Sequence, residues 1–377
     1  MNRTGSIAVG GALLLAAVTL LFWNEGRAVR TARALDEGAR AVVSVGIDEL
    51  SAHLDGARVH STGPLTASGP IADPVLGISV DGLMLVREVE TYQYRAQEAD
   101  PEGGTASASF TLEWTTRPST SPTGEAPSLP LPVGDATTYA PDARFGGLTV
   151  TPQLLVRYRA AVPVGLTADL VDSARLHLSL EAVAIDGEYL YLPYGGGAHA
   201  RSLVGDYRVK LTTVPAGVVS LIGRKMGALL EPHTARSGAS VGIIRAGAVS
   251  APAMFEAAAA ENALLSAALR VVGAGMAVAG WRLMLGRLLG FLGYVPVVGG
   301  VFRLGLTAIA GVLGTSMAVS VLAASWLVHR PLIAVLALAA AIALGWLVIA
   351  PTVRSQRKVA DGLPPTVNAA EATAPGR

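Results

Sequence analysis

The chain has 377 residues, 51% hydrophobic and 15% charged, with a formal net charge of +1. An ordinary soluble domain carries about 25% charged residues, and a net charge this small gives no global electrostatic case for nucleic-acid binding. Cysteine is absent, which excludes disulfides, thiolate catalysis and cysteine-bound metals.

The first predicted element is Ser6–Trp23, 18 residues without a charge. About 20 apolar residues in a helix cross a hydrocarbon core of roughly 30 Å. The run is longer than a signal-peptide core and ends in Phe22-Trp23-Asn24-Glu25 without a small-x-small cleavage site. It reads as a retained anchor over residues 1–24, with Trp23 in the interfacial aromatic belt. Residues 25–40, rich in Ala, Leu and Arg, continue as a juxtamembrane helix.

From 41 to 250 the pattern changes to short β-like runs, at Ala41–Val45, Ala57–Ser61, Leu83–Arg95 and Ser107–Thr115. They return at Leu148–Ala160, Leu176–Ala184, Tyr189–Leu192, Tyr207–Val214, Gly217–Ile222 and Val241–Ala246. Asp55-Gly56, Asp81-Gly82 and Asp186-Gly187 mark turns, the last a hairpin. Arg117–Pro132, rich in Pro, Ser and Thr, reads as a linker. The expectation is a β-rich α+β domain in two lobes, about 41–116 and 145–250.

Residues 251–353 read as a helix leading into three further spans. Ala251–Arg270 is a strong helix former. The second span, about Ala267–Gly286, is weak, because Arg270 and Arg282 bracket only 11 uncharged residues, about 16 Å of helix. Snorkelling arginines rescue it as a span; an interfacial amphipathic helix is the alternative. Leu304–Val328 holds 25 uncharged residues, and Leu332–Ala350 follows after the turn His329-Arg330-Pro331. Between them and the second span, residues 287–302 are apolar but broken by Pro296, Gly299 and Gly300, and read either as re-entrant or as an interfacial loop. Residues 354–377 form a basic, then disordered, tail. The fold class expected is thus an integral membrane α-helical protein of four spans with a β-rich extramembrane domain. Small-xxx-small pairs such as Gly273 with Ala277 favour close helix packing.

The positive-inside rule places both termini in the cytoplasm, together with Arg282, Arg287 and Arg303, and the β-rich domain outside. Arg27, Arg30, Arg33 and Arg40 on the outer side oppose this arrangement, but the three basic cytoplasmic segments outvote them. The scarcity of lysine beside abundant Arg, Ala, Gly and Val suggests a GC-rich bacterial genome and hence a bacterial plasma membrane.

The search for chemistry returns little. There is no phosphate-binding Gly-Lys-Ser/Thr loop, no Gly-x-Ser-x-Gly elbow and no His-Glu-x-x-His helix. The six histidines lack metal-ligand spacing, and His53 and His60 read as solvated. Tyr194–His199 reads as a flexible glycine loop rather than an anion nest. Glu88 and Glu90 share a strand face, and Asp186 and Glu188 flank a turn. The apolar spans hold no acid, which counts against transport. No catalytic residue, metal or cofactor is expected.

A set of short motifs recurs in a recognisable order. Asn24-Glu25-Gly26-Arg27-Ala28 is followed by Ala34-Leu35-Asp36-Glu37-Gly38, Ala57-Arg58-Val59-His60 with Gly63 and Leu65, and Asp73-Pro74 with Gly77. Then come Arg87-Glu88-Val89-Glu90-Thr91-Tyr92-Gln93, Glu113-Trp114, Val204-Gly205-Asp206-Tyr207-Arg208-Val209, Leu269-Arg270 and Arg330-Pro331. In combination they resemble the transmembrane protein 43 family, also called LUMA, over about residues 6–350, with departures around 96–145 and 193–240. The resemblance implies four spans, a large non-cytosolic domain and no catalytic residues. Animal members reside in the endoplasmic reticulum and inner nuclear membrane, where they are linked to nuclear-membrane organisation. By this resemblance Asn24, Glu25, Gly26, Arg27, Glu90, Tyr92, Gln93, Trp114, Gly205, Asp206, Arg208 and Arg270 are the candidate motif or interface residues. At the interface Asn24–Arg27 either dock lipid headgroups or brace the β-rich domain.

The expected role is a noncatalytic membrane scaffold presenting its β-rich domain to partners: membrane lipids, membrane or envelope proteins, or a second copy of the chain, and no nucleic acid. Two alternatives stay open. One is an enzyme acting on envelope lipids or polymers, with carboxylates such as Glu88 or Asp206 converging in a cleft; the other is an oligomeric transporter or channel.

Overall fold

The computed structural model describes residues 3–96, 110–116, 133–193, 201–288 and 298–331, with positions 335 and 339. Its α-helices are α1 (Arg3–Ala41), α2 (Pro152–Leu155), α3 (Ala168–Leu178), α4 (Ala251–Leu288) and α5 (Val298–His329). The chain divides into two compact units, Arg30–Leu265 and the pair Asn2–Val29 with Ser266–Arg377.

The β-rich unit contains two large sheets. In the first, strand Arg58–Ala67 pairs with Gly217–Met226 on one side and with Ala143–Phe145 on the other. The pairing continues through Leu148–Val150 and Leu229–Glu231 back to Gly217–Met226, so five strands close into a ring. Leu65, Phe145, Leu154, Val219 and Leu230 fill it, all fully buried. Closure leaves these strands few free edges, the usual hazard of small all-β units.

The second sheet centres on Met84–Ala96 and Tyr207–Val214, paired antiparallel from Tyr207 opposite Thr91 to Val214 opposite Met84. Tyr189–Leu192 flanks one side and Phe110–Thr115 the other. Burial alternates along Tyr207–Val214, as one covered and one freer face require. The inner face packs Leu85, Val89, Leu190, Val209 and Leu211 with Val171 and Ala174 of α3. Asp186 and Tyr189 pair across Gly187, whose φ of 60° suits a two-residue hairpin.

Several expectations change here. The stretches 41–116 and 145–250 are not separate lobes, because each supplies strands to both large sheets. Leu148–Ala160 is a strand only to Val150: Pro152 has no N–H for a ladder and begins α2 at a favoured helix position. Leu176–Leu178 closes helix α3, whose N-cap Thr167 accepts from the Leu170 N–H and whose end is set by Ser179 in the left-handed region. The alternating leucines at 176, 178 and 180 imitated a strand period. His60 is not solvated; its ring bridges Ser44 Oγ at 3.1 Å and the Val249 carbonyl at 2.9 Å.

Two family-motif groups prove structural. Arg87 and Asp73 form a buried ion pair at 2.5 and 2.6 Å, with side chains 6% and 2% exposed. Asp73 also accepts from the backbone of Val75 and Leu76, and Arg87 donates to the Gly134 carbonyl. In the part of α1 beyond Arg30, Glu37 accepts from Arg58 at 2.6 Å and from the Arg236 backbone at 3.0 Å, with His233 3.5 Å away. The Arg236 N–H above all holds the Glu37 carboxyl below its ordinary pKa. Burial, then the charge of Arg58, lowers that of His233.

In the helical unit α1 and α4 run antiparallel. Gly10, Leu14, Ala17, Leu21 and Asn24 of α1 follow a spacing of four and three. So do Ser266, Arg270, Gly273, Ala277, Gly280 and Met284 of α4. A Cβ at Gly280 would lie 2.9 Å from the Gly10 carbonyl oxygen and 2.8 Å from Leu14 Cδ2; one at Gly314 of α5 would lie 2.6 Å from the Val278 backbone. Glycine at these crossings lets the backbones touch. Among the described residues, three stretches are long and apolar enough to span a membrane: Ser6–Ala41, Ala251–Gly286 and Gly305–His329. Of the four expected spans, Leu332–Ala350 lies outside the described residues apart from positions 335 and 339, as do residues 289–297, Arg117–Pro132, Tyr194–His199 and the tail.

Candidate functional site

The motif candidates fall into two clusters, one in each unit. In the helical unit Glu25 is completely buried, although it lies just past the uncharged run of α1. One carboxylate oxygen accepts from Arg270 Nε of α4 at 2.6 Å, and the other accepts from Trp326 Nε1 of α5 at 3.2 Å. Asn24, also fully buried, donates to the Ser266 carbonyl at 3.0 Å and accepts from Arg27 at 3.2 Å. A carboxylate with one cation and one neutral donor is the arrangement that makes burial of charge tolerable. Among the described residues of this unit, Asn24 and Glu25 therefore hold helices to one another, and Arg27 holds Asn24 within α1. Trp326 and Ser266 went unnoticed in the sequence; a second tryptophan near the end of an apolar run was the available signal.

The second cluster covers the outer face of the second sheet. Glu90 is directly opposite Arg208, and the two form an ion pair. The Arg208 guanidinium lies 4.8 Å from the centre of the Trp114 ring and 4.3 Å from that of Tyr189. Trp114 meets Tyr92 at 5.2 Å, and Tyr191 edge-on at 6.3 Å; Tyr94 meets Phe110 at 6.5 Å. Lys210 extends the row, bonded to Glu188 at 2.8 Å. Planar cation and ring faces attract through the ring quadrupole, and the ion pair fixes the guanidinium between them.

Gly205 and Asp206 build the end of this face. Gly205, with φ of 100°, donates to the Tyr92 carbonyl, and Tyr92 N–H donates to the Asp206 carbonyl, both at 2.9 Å. Only glycine adopts that φ without strain. The Asp206 carboxylate accepts from Tyr191 Oη and, at 2.6 Å, from Leu203 N–H. Burial and this carboxylate raise the Tyr191 pKa, so the phenol stays a donor. Gln93 is elsewhere, buried on the inner face at 3% exposure. Tyr189 and Tyr191 were legible only as alternate positions of the run Tyr-Leu-Tyr-Leu.

Glu88 and Asp206, two examples of carboxylates for a cleft, do not converge. Glu88 is opposite Lys210, and Asp206 lies beside Tyr92, four residues along the strand, about 13 Å at strand rise. Among the described residues no group of three or more His, Cys, Asp or Glu is placed to hold a metal.

Apolar helices long enough to span, packed through glycine and closed by an internal ion pair, with a β-rich region inserted between the first two, define an integral membrane protein. Residues 86–331 match the family model described as transmembrane protein 43. Transmembrane protein 43 of Rattus norvegicus is 28% identical over 95% of this chain and 91% of its own length; that of Homo sapiens is 28% identical over 89% and 87%. A homolog in Drosophila melanogaster is 37% identical over 29% of this chain and 32% of its own. No solved structure matches. The chain belongs to the transmembrane protein 43 family.

Proposed function

We propose that this protein is a multi-pass membrane scaffold whose β-rich domain recruits protein partners through the outer face of its second sheet. The observation that carries the reading is the concentration of rings there. Tyr92, Tyr94, Phe110, Trp114, Tyr189 and Tyr191 share one face in a chain with only 5% aromatic residues. Tyr, Trp and Arg are the residues that dominate binding energy at protein interfaces. Rings already held by Arg208 lose little freedom on binding, which favours affinity. Leu112, 43% exposed on the adjacent strand, adds apolar surface.

In this reading Leu332–Ala350 is a fourth span returning antiparallel after Pro331. Both termini are cytoplasmic and the β-rich domain is extracytoplasmic, in a bacterial plasma membrane. The basic residues Arg3, Arg282, Arg287, Arg303, Arg354 and Arg357 support that orientation. The test is affinity capture from membranes with full-length protein and a Leu112→Glu/Trp114→Ala variant that retains its melting temperature. Partners held by the first and lost by the second are expected; the same partners recovered by both would refute the recruiting face.

A further inference from the structure

We infer that α4, apolar and long enough to span, is a conditional membrane span because its two arginines depend on partners from α1 and α5. Its 11 uncharged residues between Arg270 and Arg282 amount to about 16 Å of helix, against a hydrocarbon core of roughly 30 Å. The structure gives each arginine a partner from a neighbouring helix. Arg270 Nε donates to Glu25 of α1 at 2.6 Å, and Arg282 Nε donates to Thr307 Oγ1 of α5 at 3.0 Å.

The first pair has exposed apolar neighbours in all three helices. Trp23, Val271, Val272, Leu327 and Val328 lie within three residues of Glu25, Arg270 or Trp326 and are 51–73% exposed. Glu25 itself is completely buried while Arg270 keeps 34% of its side chain exposed, so the helices hold the carboxylate out of water next to lipid-facing apolar side chains. Snorkelling is then unnecessary for Arg270, because its counter-ion comes from inside the helix group. Gly273 and Gly280 allow the approach: a Cβ at Gly273 would lie 2.6 Å from Leu21.

The carboxylate and the guanidinium are each costly in lipid alone and tolerated together. Insertion of α4 thus depends on α1 already being present, and the short span becomes a device that admits only the complete assembly.

The absence of cysteine makes the test clean. A single Val272→Cys in the full-length protein reports water access by labelling with a polar maleimide in opened membrane vesicles. We expect protection in the otherwise unchanged chain. Glu25→Leu should raise labelling at least about tenfold, the population shift expected when an intramembrane arginine loses its counter-ion. Adding Arg270→Leu to Glu25→Leu should restore protection, which separates loss of pairing from general misfolding. Protection that survives Glu25→Leu, or labelling that persists in the double variant, would overturn the inference.

Discussion

Arg208→Ala removes the cation on which the outer face is organised. Two ring contacts, at 4.8 and 4.3 Å, and the ion pair with Glu90 disappear together. A cation–π contact contributes about 0.5–1 kcal/mol when exposed and about 2 when desolvated; with the Arg208 side chain 23% exposed, about 1 kcal/mol each is appropriate. The Glu90 pair, similarly placed, adds up to about 1 kcal/mol, for a loss of about 3 kcal/mol. In a unit of this size each kcal/mol lowers Tm by about 2–4 °C, so unfolding should move down by about 6–12 °C. Near-ultraviolet circular dichroism of the purified full-length protein reads both the melt and the packing of Trp114. Arg208→Lys keeps the charge but lacks the plane that stacks between rings, and should recover only part of the loss. A shift below about 2 °C for alanine, or a lysine variant as stable as the parent, would refute the stacking argument.

Three further outcomes follow from the geometry. Arg87→Leu strands the Asp73 carboxylate at 2% exposure and should cost about 3–5 kcal/mol, read as an earlier denaturant midpoint; an unchanged midpoint would show that the pair is dispensable. His233 titrates below its ordinary 6.5 when folded, so below that pH the unfolded chain takes up a proton that the folded chain refuses. Stability should therefore fall as pH drops from 6.5 towards the folded pKa, and His233→Gln should flatten that slope. Gly280→Leu meets Leu14 and the Gly10 carbonyl, whereas a Cβ at Gly275 meets nothing within 4 Å. Protease resistance in membranes should drop for the first substitution and hold for Gly275→Leu.

Much of this organisation is legible from local pattern, and the rest depends on contacts that pattern does not encode. Leu304–Val328 was readable because charge exclusion is a property of one helix, and Tyr207–Val214 because its two faces differ in every second residue. The weakness of α4 was equally visible, as two arginines too close together. Its remedy was not, because Glu25 lies 245 residues away and outside the uncharged run. The same holds for Arg208 and Trp114, which meet only through the pairing of both their strands with Met84–Ala96. Helix α2 and the last three residues of α3 read as strand by hydrophobic period, where Pro152 and the left-handed Ser179 at the end of α3 decide otherwise.

The recruiting role of the outer face is tested most directly by placing a photocrosslinking residue at Leu112 in the full-length protein in its native membrane, with Leu176, 85% exposed on α3, as the control position. Adducts to defined proteins from position 112, absent from 176 and abolished by Trp114→Ala, are the predicted result. No adduct at 112, or identical adducts from both positions, would contradict it.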